Sequence, residues 1–245
     1  MKAGMQTIRA RGLYRYFGTR IVVDNINLDL EQGEVLGLLG PNGAGKTTIM
    51  RLITGNLVPS AGEIEIRGID LLEKPREAKA QMGYLPEIPP LYMELTVDEY
   101  LSLAARLHRV EKGKIHAALV NARRRCGLSN VGSRLIGALS KGYQQRVGIA
   151  QAIIHDPAVI VFDEPTAGLD PNQMRDIRAL IRELGAERSV ILSTHILPDV
   201  ERLCDRVKII SEGRAVFEAS MEGLRDQGAK LEEVFVHFTM RKMES

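Results

Sequence analysis

An apolar run, Val35-Leu36-Gly37-Leu38-Leu39, passes without a break into Gly40-Pro41-Asn42-Gly43-Ala44-Gly45-Lys46-Thr47, and no other segment limits the fold so tightly. The run reads as a buried strand. Beyond the glycines, the stretch from Thr48 to Thr54 sets apolar residues at Ile49, Leu52 and Ile53, which is helical spacing. Strand, glycine-rich turn and helix, in that order, are the context of a phosphate-binding loop. Glycines let successive backbone N–H groups approach phosphate oxygens with no Cβ in the way, and the helix amino end adds a partial positive charge. In such a loop Lys46 reaches the β- and γ-phosphates of a nucleotide, and the Thr47 hydroxyl holds magnesium.

At 245 residues the chain is long enough for one large domain, or for one domain with an inserted lobe. Its 33 Lys+Arg against 31 Asp+Glu leave a net charge of +2, so no global field draws it to nucleic acid. The cluster Arg123-Arg124-Arg125 reads as a solvated helix face. No apolar run approaches the roughly 20 residues that cross a bilayer, and the amino terminus lacks the layout of a secretion signal, so the expectation is a soluble protein that stays inside. Cys126 and Cys204 stand far apart without metal-ligand spacing, which fits a reducing compartment. Cys204 follows Val200 and Leu203 on one apparent helix face and reads as a core thiol.

Alternation at Ile26, Leu28 and Leu30, and again over Glu63-Ile64-Glu65-Ile66-Arg67, predicts half-buried strands and so an antiparallel layer beside the nucleotide. From Thr96 to about Gln151 the period changes. Thr96 and Glu99 fit a capping box, and Leu101, Leu103, Ala104 and Leu107 recur at helical spacing, which predicts a helical insertion. Val159-Ile160-Val161-Phe162 and Val190-Ile191-Leu192 are continuous apolar runs, as in parallel strands covered on both faces. Met174, Ile177, Leu180, Ile181 and Leu184 predict the helix that crosses between them. Val207-Lys208-Ile209-Ile210 and Ala215-Val216-Phe217 flank Glu212-Gly213 as a closing hairpin.

Phosphoryl transfer asks a protein for positioned charge, a magnesium ligand and an oriented water. Asp163 closes the strand of Val159 to Phe162, where a carboxylate binds Mg²⁺ directly or through water. Glu164 follows and either accepts a proton from the attacking water or aims it; taken alone, an Asp-Glu pair after a strand is equally a turn cap. His195, at the end of the strand of Val190 to Ser193, is placed to hydrogen-bond the γ-phosphate or the water. In Leu139-Ser140-Lys141-Gly142-Tyr143-Gln144-Gln145-Arg146 a serine N-cap and a glycine precede a helix, which makes a second anion site. A nucleotide already held by Lys46 and Thr47 does not need a second site in its own molecule. The economical explanation is a partner's nucleotide.

These segments, in this order, resemble the nucleotide-binding subunit of ATP-binding cassette (ABC) transporters over nearly the full chain. Gly40 to Thr47 is similar to the Walker A motif, Leu139 to Gln144 to the family signature, and Val159 to Asp163 to Walker B with Glu164 as the catalytic glutamate. Ala167-Gly168-Leu169-Asp170 resembles the D-loop and His195 the switch histidine. Phe17, or its neighbour Tyr16, matches the aromatic that stacks on adenine. The resemblance implies an α/β P-loop NTPase (RecA-like) core with an N-terminal antiparallel β subdomain and an inserted α-helical subdomain. One ABC ATPase domain would then span 1–245, with residues 1–86 and 152–245 as core and 87–151 as insert. It implies ATP and Mg²⁺ as cofactors, Glu164 and His195 as catalytic residues, and Thr47, Asp163 and Glu87 at the metal. Nucleotide contacts are implied for Phe17, Gly40, Pro41, Asn42, Gly43, Ala44, Gly45, Lys46, Thr47, Thr48, Ser140, Gly142 and Asp170. It also implies a head-to-tail homodimer, or a pair with a related cassette, that sandwiches two ATP molecules. That pair would sit on the cytoplasmic face of the membrane, docked to integral permease subunits through the groove beside the helical lobe.

Two positions depart from the family's commonest pattern. The signature reads Ser-Lys-Gly-Tyr in place of Ser-Gly-Gly-Gln, and Glu87, in Gly83-Tyr84-Leu85-Pro86-Glu87, replaces the Q-loop glutamine. A carboxylate near a γ-phosphate is repelled unless Mg²⁺ or a proton intervenes, so Glu87 acts at longer range or in the permease contact. Both departures, with Leu231-Glu232-Glu233-Val234-Phe235 near the end, resemble the ABC-2-type exporter subgroup and favour export. Pro89-Pro90-Leu91-Tyr92-Met93 is either packing between lobes or a permease-gripping surface. Two other classes stay open on the residues: a soluble ABC-type ATPase acting on a cytosolic assembly, and a binder that holds ATP without turnover. The chain has no long coiled-coil insertion or zinc-type cysteine pairs, and its intact Lys46, Asp163, Glu164 and His195 favour turnover.

Overall fold

The middle strands of the central sheet carry unbroken apolar runs because they serve two cores at once. In β3 (Val35–Leu39), Leu36 and Leu38 face one core while Val35 and Leu39 face the other. β7 (Val159–Asp163) and β8 (Ser189–Thr194) divide their side chains in the same way. A period of two over an unbroken apolar run requires cover on both faces. The computed structural model describes residues 6–240, so the first and last five residues of the expected 1–245 domain lie outside them.

One face is covered by α1 (Lys46–Ile53) and by an antiparallel layer of β1 (Gln6–Phe17), β2 (Arg20–Glu31), β4 (Ala61–Ile66) and β5 (Ile69–Asp70), in the order β2-β1-β4-β5. Ile8, Ala10, Leu13, Ile26, Leu28, Leu30, Ile64 and Ile66 supply the inward side of that layer and meet Ile49, Met50, Leu52 and Ile53 of α1. The second sheet adds β6 (Met82–Leu85), β9 (Arg206–Ser211) and β10 (Arg214–Ser220), in the order β10-β9-β3-β8-β7-β6, with β10 antiparallel to its neighbour. α2 (Pro75–Ala80) precedes β6. The β9–β10 connection is a two-residue turn in which Glu212 and Gly213 have φ of 50° and 78°, as a tight hairpin with right-handed twist demands.

The other face packs against α6 (Pro171–Gly185), which crosses from β7 to β8, and against α7 (Leu197–Leu203), α8 (Met221–Asp226) and α9 (Leu231–Met240). The same cluster continues into α3 (Val97–Leu107), α4 (Ile115–Arg125) and α5 (Lys141–Ile153). α3 opens on the expected capping box. Glu99 N–H donates to Thr96 Oγ1 at 3.3 Å and Thr96 N–H donates to Glu99 Oε2 at 2.8 Å. Cys126 and Cys204 are both buried, and burial pushes both thiols up, Cys126 to about 12.

The arginine cluster differs from the solvated face expected of it. Arg123 bonds Asp98 Oδ2 and the Ser129 carbonyl, and Arg125 reaches Glu183 at 3.2 Å and Glu187 at 3.0 Å. Glu183 lies on α6, so Arg125, together with Arg146 to Asp176 at 2.8 Å, ties the helical segment to the core. Sequence spacing alone carries no record of those distant carboxylates.

α5 meets β6 most closely at Gly83, where a Cβ would sit on the Ala152 carbonyl oxygen and 3.1 Å from Pro157 Cγ. Gly83→Ala is therefore expected to cost about 1–3 kcal/mol, as overpacking does. Denaturant unfolding checks this, and a midpoint equal to wild type contradicts the close approach.

Candidate active site

The phosphate loop keeps its shape through glycines that other backbones crowd. A Cβ at Gly45 would stand 2.9 Å from the Val22 carbonyl oxygen, and one at Gly40 would strike that of Ile210. Gly43 and Gly45 hold φ of 81° and 102°, a region that L side chains resist. α1 then begins at Lys46 with no side-chain cap and no acidic residue in its first turn. Its amino end is an electropositive anion site.

Around that end lies a cavity of about 470 Å³, lined by Arg20, Val22, Asn42, Gly43, Gly45, Lys46, Thr47, Thr48, Glu87, Glu164, Ala167 and His195. Lys46 is buried, and its ammonium donates to the carbonyls of Gly40 at 2.7 Å and Pro41 at 3.1 Å. Glu164 Oε1 stands 3.5 Å from the same ammonium, and His195 Nδ1 lies 2.9 Å from Glu164 Oε2. Glu164 takes a φ of 48°, unusual for a side-chain-bearing residue, with its N–H donating to the Ser193 carbonyl at 3.1 Å. The strained turn after β7 thus aims a buried carboxylate between a lysine and a histidine.

Asp163, fully buried, accepts from Ser193 Oγ at 2.5 Å and from the Thr47 hydroxyl at 3.5 Å, both through Oδ1. Its Oδ2 is buried without a hydrogen-bond partner. Two hard oxygens, one of them unpartnered, beside a phosphate loop are what Mg²⁺ accepts when phosphate oxygens and waters complete its shell. The residues present fit that ion. Burial raises the Asp163 carboxyl above its ordinary range, opposed by the bonds from Ser193 and Thr47 and reinforced by the charges of Glu164 and Glu87.

Other expected site residues stand elsewhere. Pro41 and Ala44 line a neighbouring cavity of about 400 Å³ with Asn42, Gly43, Arg20 and Ile21. Phe17, 49% exposed, lines neither cavity; it ends β1 opposite Arg20, with the Arg15 guanidinium 4.7 Å from its ring centre. Asp170 is the N-cap of α6, accepting from the N–H groups of Asn172 and Gln173. Ser140 occupies the N-cap position of α5 as expected, but its hydroxyl makes no bond to the helix. Gly142 is buried, and a Cβ there would meet the end of the flexible Gln173 side chain, Cδ at 2.7 Å.

Sequence reasoning passed over Arg20 and Val22 in the cavity wall, and Ser193 on Asp163, while Ala167 of the expected D-loop does line it. It also missed the buried Asp199, which accepts from Thr166 Oγ1 at 2.7 Å and from Arg178 Nε at 2.5 Å. Through Asp199 the turn after Glu164 is fastened to the helix that follows His195. Ser193 alone carried a signal, a hydroxyl at the carboxyl end of an otherwise apolar strand.

A family model described as ABC transporter matches residues 23–167. The chain belongs to the ABC transporter family. The cassette is 40% identical over 204 residues to the ABC transporter ATP-binding protein NatA of Bacillus subtilis, covering 82% of this chain and 83% of that one. It is 36% identical over 227 residues to the Nod factor export ATP-binding protein I of a Rhizobium species, covering 91% and 75%. A solved ATP-binding subunit of an ABC transporter superposes with a TM-score of 0.85 at 32% identity, covering 95% of this chain and 99% of that one. The cassette is therefore an ATP-binding ATPase subunit of an ABC transporter, with an α/β P-loop NTPase core. Among the described residues no helix is long and apolar enough to cross a membrane.

The raised carboxyl of Asp163 has a consequence for stability. A carboxyl whose folded value lies above its unfolded one stabilises below the unfolded value, and that contribution is lost as pH rises through the folded value. The Asp163 carboxyl therefore stabilises the metal-free cassette less as pH rises through its folded value. Asp163→Asn should raise its unfolding free energy by about 1 kcal/mol in chelator-treated buffer, as relief of a functional strain commonly does. A lowered thermal midpoint there contradicts the burial argument.

Proposed function

We propose that this cassette couples ATP-driven dimerisation and hydrolysis to transport, in the export direction, through a separate membrane permease. The observation that carries the proposal is the convergence of Lys46, Glu164 and His195 on the uncapped amino end of α1. Lys46 exchanges the carbonyls of Gly40 and Pro41 for the β- and γ-phosphates, and the freed Glu164 carboxylate turns to water. Glu164 takes the proton of that water as its oxygen bonds to the γ-phosphorus, and the bond to the bridging oxygen breaks toward ADP. His195 holds Glu164 in place and reaches the γ-phosphate. Thr47 and Asp163 would hold Mg²⁺, which when bound neutralises charge on the β- and γ-phosphate oxygens.

Ser140 and Gly142 serve the nucleotide of a partner cassette in a head-to-tail pair, with the D-loop ending at Asp170 running along the interface. The exposed Ser140, its hydroxyl free of its own helix and outside its own chain's cavity, supports this. Phe17 stacks on the adenine. Residues 1–86 and 152–245 act as the nucleotide-binding core and 87–151 as a lever. The permease docks in a groove of about 480 Å³ whose walls include Arg51, Lys79, Tyr84, Pro90 and His108. Ile88 and Met93, 83% and 46% exposed, lie on the same segment after β6 as Pro90 and support that contact, while Pro89 packs against Gly148. Export follows the similarity to the Nod factor exporter subunit, and attachment to a permease puts the cassette at the cytoplasmic face of the membrane.

Glu164→Gln should keep ATP affinity, slow phosphate release by roughly a hundredfold or more, and accumulate an ATP-bound dimer in size-exclusion chromatography. Normal turnover would show that another group activates the water. Lys46→Ala should lose ATP binding by equilibrium titration, and retained affinity would refute the loop assignment. Ser140→Arg should leave ATP on the monomer while preventing the dimer that Glu164→Gln traps; a dimer that still forms removes the signature from the interface.

A further inference from the structure

We infer that Glu87 and Lys141, the two charged departures from the family's pattern, act as one charge pair across the groove between the segment after β6 and the amino end of α5. This groove, of about 460 Å³, carries Glu87, Ile88 and Pro89 on one wall and Lys141 and Gln144 on the other, with Ala167 and Gly168 between them. Glu87 and Ala167 line the nucleotide cavity as well, so the pair stands between the signature helix and the ATP site of its own chain.

Each charge is unfavourable where it stands. Lys141 is the first residue of α5, whose first turn has no acidic residue, and a cation at a helix amino end opposes the helix dipole. Glu87 adds a carboxylate to a cavity that already holds Glu164, is felt by the buried Asp163, and is built for a triphosphate. Glu87 and Lys141 are the only charged residues among the described ones lining this groove, and they are of opposite sign. Neither side chain makes a hydrogen bond or ion pair among the described residues, and the two do not touch each other in this structure. The lysine is aimed into the groove, because its Nζ occupies the space that a Cβ on Gly168 would fill.

The two walls are held together seven residues further along α5. A Cβ at Gly148 would meet Leu85 Cδ1 at 2.7 Å and Pro89 Cβ at 3.0 Å, so the helix and the segment carrying Glu87 share a fixed pivot. Closure about that pivot shortens the distance between the charges. Glu87 and Lys141 are thus positioning residues, which hold the signature helix against the ATP site by attraction where the commoner glutamine and glycine supply none.

The inference rests on the ATPase function proposed above, and a double-mutant cycle on the full chain separates the two. ATP turnover is measured for E87Q, K141Q, E87Q/K141Q and K141R, with thermal midpoints for the same proteins. Each single neutralisation should lower kcat by about fivefold with KM for ATP little changed, and the double variant should be no slower than the poorer single. K141R should retain activity. Losses that multiply in the double variant overturn the pair and assign Lys141 to the partner's phosphate instead. A wild-type chain without ATPase activity overturns the proposed function, and the midpoints then decide alone: non-additive shifts support the pair, additive ones refute it.

Discussion

The phosphate loop is held by backbone pressed against backbone, and the site cannot form without that contact. The Gly213 N–H in the β9–β10 turn donates to the Ala44 carbonyl at 2.9 Å, and the Asp24 N–H in β2 donates to the Gly213 carbonyl at 2.9 Å. Gly40 and Gly45 leave room for the carbonyls of Ile210 and Val22. The loop is clamped between the antiparallel layer and the closing hairpin, two elements 190 residues apart in the chain, as the Arg214–Asp24 ion pair illustrates. Preorganised N–H groups aimed at an anion are worth most when they need no rearrangement on binding, and this clamp supplies that rigidity.

From the clamp, the rest of the site follows by strand register. β3 and β7 both lie beside β8, with Leu38 opposite Ser193 on one side and Asp163 opposite Ser193 on the other. The strand that carries Ser193 therefore carries Asp163 to the level of Thr47, and Glu164 to the level of Lys46. Ligand sites at the carboxyl ends of parallel strands are the general outcome of such sheets. Thr166 and Arg178 then both bond the buried Asp199, which ties the turn after Glu164 to the helix that follows His195.

Much of this was legible in the sequence because it is local. A loop whose glycines, lysine and threonine fall within eight residues, a capping box at Thr96 and Glu99, and strands with unbroken apolar runs each carry their structural reason within a short stretch. What escaped notice depends on distance along the chain. Arg20 reaches the cavity only because β2 folds beside the loop, and Arg125 finds Glu183 only because α4 packs near α6. Asp199 reads as an ordinary helix-start acid until Thr166 and Arg178 are brought to it. Phe17 illustrates the opposite case, a motif residue recognisable by resemblance whose ring stands outside the described cavities.

The serine and aspartate at the N-cap positions of α5 and α6 make different commitments, and the difference has a physical reading. Asp170 spends its carboxylate on the N–H groups of Asn172 and Gln173, so α6 is complete within its own chain. Ser140 leaves its hydroxyl and the amino end of α5 uncommitted, although a serine in that position ordinarily caps. Gly142 cannot explain this as a demand for ligand access alone, since Gln173 already fills the space beside it. The Gln173 side chain of α6 lies beside Gly142, and the uncapped helix end carries Lys141 as its first residue. A helix end kept short of its own cap has unmet hydrogen-bonding capacity, and an anion arriving from outside the chain meets that demand without displacing anything.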